Sequence, residues 1–238
     1  MRIINKLQKI ASRIQPEINN KLINDKLVLT LSGTIGTPGF WEEGDKYINE
    51  ERVQEMIGDC TQDIVIRLNS PGGDVFDGIA LYNYLKDLPN HITVEVTALA
   101  ASAASIIAMA GDEVVMLTGS QMMLHEAWTF CAGNKSYLEK VISQLESVDE
   151  SLIAIYQEKT GHSDDIIRRW LEGETWFTAQ EAVREGLADR TREQVTGDDN
   201  TLINLAKEEI VNEVVAKLTS KQPEGKTPQG LNKIFGGK

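Results

Sequence analysis

The chain has 238 residues, 41% hydrophobic and 25% charged, close to the globular average, which excludes a disordered or fibrous protein. Its 24 basic against 36 acidic side chains leave a net charge of −12, the wrong sign for a body built to clamp nucleic acid. Two cysteines, Cys60 and Cys131, are too few for a disulfide framework and point to a reducing, cytoplasmic compartment; His91, His125 and His162 lie too far apart for a metal motif, so neither a metal nor another cofactor is expected.

Ile3, Ile4, Leu7, Ile10 and Ile14 fall at helical spacing with Arg2, Lys6, Lys9 and Arg13 between them. Residues 1–26 are therefore expected as an N-terminal amphipathic helical segment that docks on the protein itself or on a partner, in preference to lying on a membrane surface. It lacks the continuous apolar region and cleavage site of a signal peptide. Leu27–Leu31 reads as a strand, and Thr37–Gly44 as a Gly/Pro loop exposing Phe40 and Trp41. A helix over Asn49–Cys60 leads to a strand over Asp63–Leu68, then to a helix from Val75 that Pro89 ends. Ile92–Thr97, Val114–Leu117 and Gln121–Leu124 are further strands. Between them, Ala98–Gly111 is the longest nearly apolar stretch; it is shorter than the ~20 residues a bilayer span needs and reads as a buried helix, so no membrane partner is expected. Strands alternating with helices imply βαβ units and a mainly parallel sheet.

From Ser136 to Lys159 the apolar positions Leu138, Val141, Leu145, Val148, Leu152 and Ile155 predict one long amphipathic helix, whose stripe needs another surface to cover it. A helix over Ser163–Leu171, an apolar-aromatic Thr175–Thr178, a helix over Glu181–Gly186 and a last helix over Leu202–Leu218 follow. Lys217–Lys238 carries five lysines, one glutamate, two prolines and four glycines, a composition that cannot order itself. The expected division is thus the segment 1–26, an α/β body over 27–190, a C-terminal helical extension over 191–216 and a flexible basic tail over 217–238.

Two small-residue segments sit at strand exits. Paired glycines in Asn69-Ser70-Pro71-Gly72-Gly73 let backbone N–H groups approach a ligand, although the same letters also write an ordinary tight turn. In Ala100-Ala101-Ser102-Ala103-Ala104-Ser105 a serine opens a helix: it is either an N-cap or a nucleophile, with the next residue's N–H as an oxyanion donor. A nucleophilic serine needs a base, and His125, after the apolar Met122-Met123-Leu124, is the candidate; the alternative is a satisfied core histidine. Glu172 and Glu174 are the candidate acids that would hold the imidazole tautomer. The order Ser, His, acid and the lack of GxSxG exclude an α/β-hydrolase.

Leu68-Asn69-Ser70-Pro71-Gly72-Gly73, Ala100-Ala101-Ser102 with Ala110-Gly111 beyond it, Met122-Met123-Leu124-His125, and Glu181-Ala182-Val183 with Gly186-Leu187-Ala188-Asp189 resemble the Clp protease proteolytic subunit (ClpP) family, in family order, from about Leu27 to Asp189. The wording of Ala100–Gly111 and of Glu174-Thr175-Trp176-Phe177 is more similar to the ClpP-like head maturation proteases of tailed phages and prophages. The resemblance implies an α/β fold of the ClpP/crotonase type, a spiral of ββα units with the Ser136–Lys159 helix as its handle. It implies serine endopeptidase activity with Ser102 as nucleophile, His125 as base and Glu174 as acid, where the family usually has Asp; Glu172 and the second serine, Ser105, are the competing assignments. Gly73 and Ala103 match the oxyanion-hole donors. The expected partners are further copies of the chain, in a ring homo-oligomer of the two-stacked-heptamer kind, and a polypeptide substrate such as a capsid or scaffold precursor, in the host cytoplasm or the prohead. Three alternatives remain: a cellular Clp subunit fed by an AAA+ unfoldase, a crotonase-type CoA enzyme, and a catalytically silent shell or scaffold-binding protein.

Overall fold

The computed structural model describes residues 2–37 and 47–192, with side chains from Leu7 onward. Helix α1 (Arg2–Ala11) is followed by strands β1 (Glu17–Ile23), β2 (Lys26–Ser32), β3 (Thr34–Ile35) and β4 (Tyr47–Ile48) and by helix α2 (Glu50–Ile57). Strand β5 (Ile64–Ser70), helix α3 (Val75–Asp87), strand β6 (Ile92–Ala101), helix α4 (Ala103–Ala108) and strand β7 (Glu113–Met116) come next. The body closes with β8 (Gln121–Leu124), α5 (Lys135–Thr160), α6 (Asp164–Glu172), β9 (Thr175–Thr178), α7 (Ala179–Arg184) and β10 (Arg190–Thr191).

The main sheet runs β1-β2-β5-β6-β7-β10, parallel from β2 onward, as the βαβ reading requires. Strand β6 serves two neighbours. Thr93–Val96 pair with β7, whereas Leu99–Ala101 pair with β8, which in turn pairs antiparallel with β9. The sheet therefore splits along β6, and the second half of that strand carries its own small layer. Leu29, Leu31, Ile64, Ile66, Leu68, Val94 and Val96 are fully buried and alternate along their strands, and α3 and α4 cover them through Leu81, Leu85, Ile106 and Ile107. This is a mixed α/β architecture with a central sheet and flanking helices, in keeping with the ClpP-type fold. No described helix is long and apolar enough to cross a membrane.

Two elements differ from the sequence expectation. The segment 1–26 is helical only over Arg2–Ala11. Pro16 biases its predecessor toward extended backbone, and Glu17–Ile23 then pairs antiparallel with β2 through a two-residue turn. That turn has Asn24 and Asp25 at φ 49° and 60°, the left-handed pair a type I′ hairpin needs and Asn and Asp tolerate. Secondly, Ala98–Gly111 is not one helix. Strand β6 runs on to Ala101, and only Ala103–Ala108 is helical. The expected loop with Phe40 and Trp41, most of the C-terminal extension and the whole basic tail lie outside the described residues.

Helix α1 sets Leu7 and Ile10 against Leu99, Ala101, Met123 and Trp176. These four belong to β6, β8 and β9, so the N-terminal helix backs the layer from which Ser102 and His125 emerge. Helix α5, 26 residues and about 39 Å long at 1.5 Å per residue, buries Leu152, Ile153, Ile155 and Tyr156 in its C-terminal half. Its N-terminal half leaves Tyr137, Leu138 and Ile142 exposed, and Phe130, ahead of the helix in the chain, is 90% exposed.

Candidate active site

Ser102 is the hinge between β6 and α4, at φ 56° and ψ −130°, a conformation L-residues rarely hold. Its N–H donates to the Met123 carbonyl at 2.8 Å, continuing the β6–β8 ladder in which Ala101 faces Met123. That ladder sets the strand ends level, so the residue after β8, His125, comes alongside Ser102. His125 Nε2 lies 2.8 Å from Ser102 Oγ. The serine makes no capping hydrogen bond to its helix, so the N-cap reading is replaced by the contact with His125.

The imidazole tautomer follows from its other nitrogen. His125 Nδ1 is hydrogen-bonded to the Glu126 carbonyl, which can only accept, so Nδ1 carries the proton and Nε2 is free to accept the Ser102 hydroxyl. His125 is 8% exposed, and burial holds its pKa below the ordinary imidazole value, against the opposing pull of the Glu126 carbonyl and of the Glu174 and Asp149 charges. The ring is thus neutral at neutral pH, as a general base requires.

Glu174 sits one step beyond the Leu124–Thr175 pair of the β8–β9 ladder, which brings it beside His125. The Leu171 carbonyl accepts both the Glu126 and the Glu174 N–H, at 3.3 and 3.1 Å, and gathers the two segments. Glu174 occupies φ 47°; with Asn24, Asp25 and Ser102 it completes the set of non-glycine residues at positive φ among those described. Its carboxylate acts on His125 through charge, while the hydrogen bond to Nδ1 is made by the Glu126 backbone. Glu172 acts on Glu126 rather than on His125. Asp149, which no sequence motif marks, accepts the Ala127 N–H at 2.7 Å and fastens the segment after His125 to α5; burial raises its pKa.

The Gly-rich turn lies directly against the serine. A Cβ added to Gly72 would stand 2.6 Å from the Ser102 Cβ and from the Ala101 carbonyl oxygen. The Ser70 hydroxyl, fully buried, accepts the Gly72 N–H at 3.1 Å and shapes the turn. Gly73 bridges Ile35, but the bridge runs from the Ile35 N–H to the Gly72 carbonyl and from the Asp74 N–H to the Ile35 carbonyl. It leaves the Gly73 N–H unused. Ala103 is the first residue of α4, so its N–H also lacks an intrahelical acceptor. Ser105, the competing serine, is fully buried, with its hydroxyl engaged by the Ser102 carbonyl and the Tyr156 hydroxyl.

A cleft of about 630 Å³ opens over Gly73, Ser102, Ala103 and His125. Val141, Leu145, Val148 and Leu152 of α5 line it, so part of the stripe that asked for cover forms an apolar channel beside the serine.

Comparison with known proteins bears on the family of the chain. The Clp protease family model matches residues 54–195. The chain is 30% identical over 154 residues to the ATP-dependent Clp protease proteolytic subunit 3 of Rhodococcus jostii, covering 62% of this chain and 76% of that protein. It is 27% identical over 185 residues to proteolytic subunit 1 of Leifsonia xyli, covering 76% and 89%. It is 26% identical over 192 residues to the proteolytic subunit of Deinococcus radiodurans, covering 77% and 90%. The crotonase-type alternative is set aside by these matches. Since the matched span takes in more than half of the chain, with both Ser102 and His125 inside it, the chain belongs to the Clp protease family of serine-type peptidases.

Proposed function

We propose that the protein is a serine endopeptidase in which Ser102 attacks the peptide carbonyl, His125 takes its proton, the Gly73 and Ala103 N–H groups hold the oxyanion, and Glu174 stabilises the imidazolium. The observation that carries this reading is the 2.8 Å contact between Ser102 Oγ and His125 Nε2 at a strained strand-to-helix turn. His125 then returns the proton to the leaving amine, and water releases the acyl-enzyme.

The pH profile tests the base and the acid together. Because burial lowers the His125 pKa, kcat/KM is expected to hold its plateau at neutral pH and to fall only below pH 6.5, as the ring protonates. Glu174→Gln removes a charge that favours the protonated ring, so its acid limb is expected to move to lower pH. Its plateau is expected to fall about 10- to 100-fold, short of the ~10⁴ lost when an acid alone holds the tautomer, because the Glu126 carbonyl holds it here. A limb that stays put in Glu174→Gln while moving in Glu172→Gln would transfer the role to Glu172.

Within the family, we read the chain as a phage or prophage head maturation protease working as a ring of copies on a capsid or scaffold precursor. The N-terminal residues support it over the unfoldase-fed alternative: Leu7 and Ile10 are packed on the protein's own sheet, and β1 is hydrogen-bonded to β2. The exposed Phe130, Tyr137, Leu138 and Ile142 support assembly with further copies, since a monomer would leave these large apolar side chains in water. The test joins sedimentation to digestion. The expected result is a ring-sized oligomer at micromolar concentration that cuts a precursor without ATP. A monomer would overturn the ring, and cutting only with ATP and an unfoldase would favour the cellular role.

A further inference from the structure

Helix α4 carries a buried serine, Ser105, whose hydroxyl the proposed chemistry does not use. Ser105 donates its N–H to the Ser102 carbonyl at 2.9 Å and its Oγ–H to the same oxygen at 2.6 Å. Back-bonding of a serine to a carbonyl three residues earlier is common in helices and would mean little alone. Here the Ser105 Oγ also lies 2.9 Å from the Tyr156 hydroxyl, a residue of α5 that is 51 positions away in sequence. Ser105 has one hydroxyl proton, and it is spent on the Ser102 carbonyl. The direction of the relay is therefore fixed: the Tyr156 O–H donates to Ser105 Oγ, and the Ser105 O–H donates to the Ser102 carbonyl. Both side chains are buried, at 1% and 0% exposure, so neither hydroxyl has water as an alternative partner. Burial also pushes the Tyr156 phenol up, which keeps its proton in place as a donor.

The consequence concerns the far end of one peptide group. The Ser102 carbonyl and the Ala103 N–H belong to the same planar unit and point in opposite directions, so fixing the oxygen fixes the N–H. We propose that Tyr156 and Ser105 are positioning residues that lock the Ser102–Ala103 peptide plane from behind and so aim the Ala103 N–H into the oxyanion hole. The inference rests on the reading of Ser102 as nucleophile and adds to it a buried strut from the long helix. Successive hydrogen bonds in a dry setting polarise one another, which also makes the Ala103 N–H a better donor. A plane that can rock would misaim the donor in the transition state while leaving substrate binding in the cleft unchanged.

The test compares wild type, Ser102→Ala, Tyr156→Phe, Ser105→Ala and the Tyr156→Phe/Ser105→Ala double variant. It reads the rate of labelling by a fluorophosphonate probe, kcat and KM for a peptide substrate, the acid limb and Tm. Tyr156→Phe keeps the core volume and removes one oxygen. Its kcat and labelling rate are expected to fall about three- to tenfold, the worth of one buried hydrogen bond, with KM and the acid limb unmoved. Ser105→Ala is expected to lose more, since it removes the direct donor and strands the phenol. The double variant is expected to be no slower than Ser105→Ala, because Tyr156 acts only through Ser105. A labelled wild type with Tyr156→Phe labelled equally fast, losses that multiply in the double variant, or a loss in KM or Tm alone would overturn the relay. A wild type that is folded, oligomeric and not labelled overturns the nucleophile reading itself, and the relay with it.

Discussion

Ser102→Ala is expected to lower kcat for peptide hydrolysis by about 10⁶ and to abolish fluorophosphonate labelling, the scale reached when the nucleophile of a serine peptidase is removed. The fold is expected to survive, because the Ser102 N–H bond to Met123 and the helix that follows involve backbone alone. His125→Ala is expected to cost nearly as much: with Nε2 gone, nothing else described lies within hydrogen-bond distance of the Ser102 hydroxyl to take its proton. Combining the two is expected to add little, since each removes the same step. Ser105→Ala separates the two serines of the repeated Ala-Ala-Ser, retaining labelling at a reduced rate because its hydroxyl faces Tyr156 and the Ser102 carbonyl. Labelling lost only in Ser105→Ala would transfer the nucleophile by one helical turn. Hydrolysis unaffected by either serine would leave a silent shell protein.

Much of this site is legible in the residues because it is built from local backbone devices. Pro71-Gly72-Gly73 at a strand exit, a serine among alanines and a histidine at the end of an apolar run each announce their geometry through turn and strand chemistry. The βαβ alternation likewise follows from periodicity, and helix α5 lies within one residue of its expected bounds at each end. What is not legible depends on contacts between distant segments. The Ala-rich run 98–111 satisfies a strand and a helix equally, and only the pairing of Leu99–Ala101 with Gln121–Met123 decides where one gives way to the other. Strand β1 is polar and exposed along most of its length, so it shows no alternation; the signal that could have found it is Asn24-Asp25, a two-residue turn pair. The partner of His125 Nδ1 is a backbone carbonyl, which no side-chain motif records. Tyr156 reads in the sequence as one more residue of an amphipathic helix.

Gly73→Ala is expected to lower kcat by about 10²–10³, the cost of losing one oxyanion donor, and to destabilise the fold by about 1–3 kcal/mol through overpacking. The reason lies behind the glycine rather than in the cleft. A Cβ on Gly73 would stand 1.8 Å from the Ile35 carbonyl oxygen, a distance no pair of non-bonded heavy atoms tolerates, so the backbone must move. It cannot move alone. Ile35 is tied to Gly72 and Asp74 by bonds of 3.0 and 2.9 Å, and Asp74 caps α3 by accepting the Phe76 and Asp77 N–H groups. Displacing Gly73 therefore breaks the bridge to β3 and swings the N–H away from the carbonyl it would polarise. Gly58→Ala supplies the control, at φ 51° with nothing within 4 Å of the added Cβ. It carries the backbone strain of an alanine held at φ 51° and ψ −135°, about 1–3 kcal/mol, without touching the cleft, so Tm is expected to fall and kcat to hold. If Gly73→Ala were folded and within threefold of wild type in kcat, the Gly73 N–H would not be an oxyanion donor, and Ala103 would carry the hole without it. If both glycine variants lost kcat in proportion to Tm, the loss would report stability and not the amide. The geometry predicts that the two properties separate: one variant unstable yet active, the other inactive well below its melting temperature.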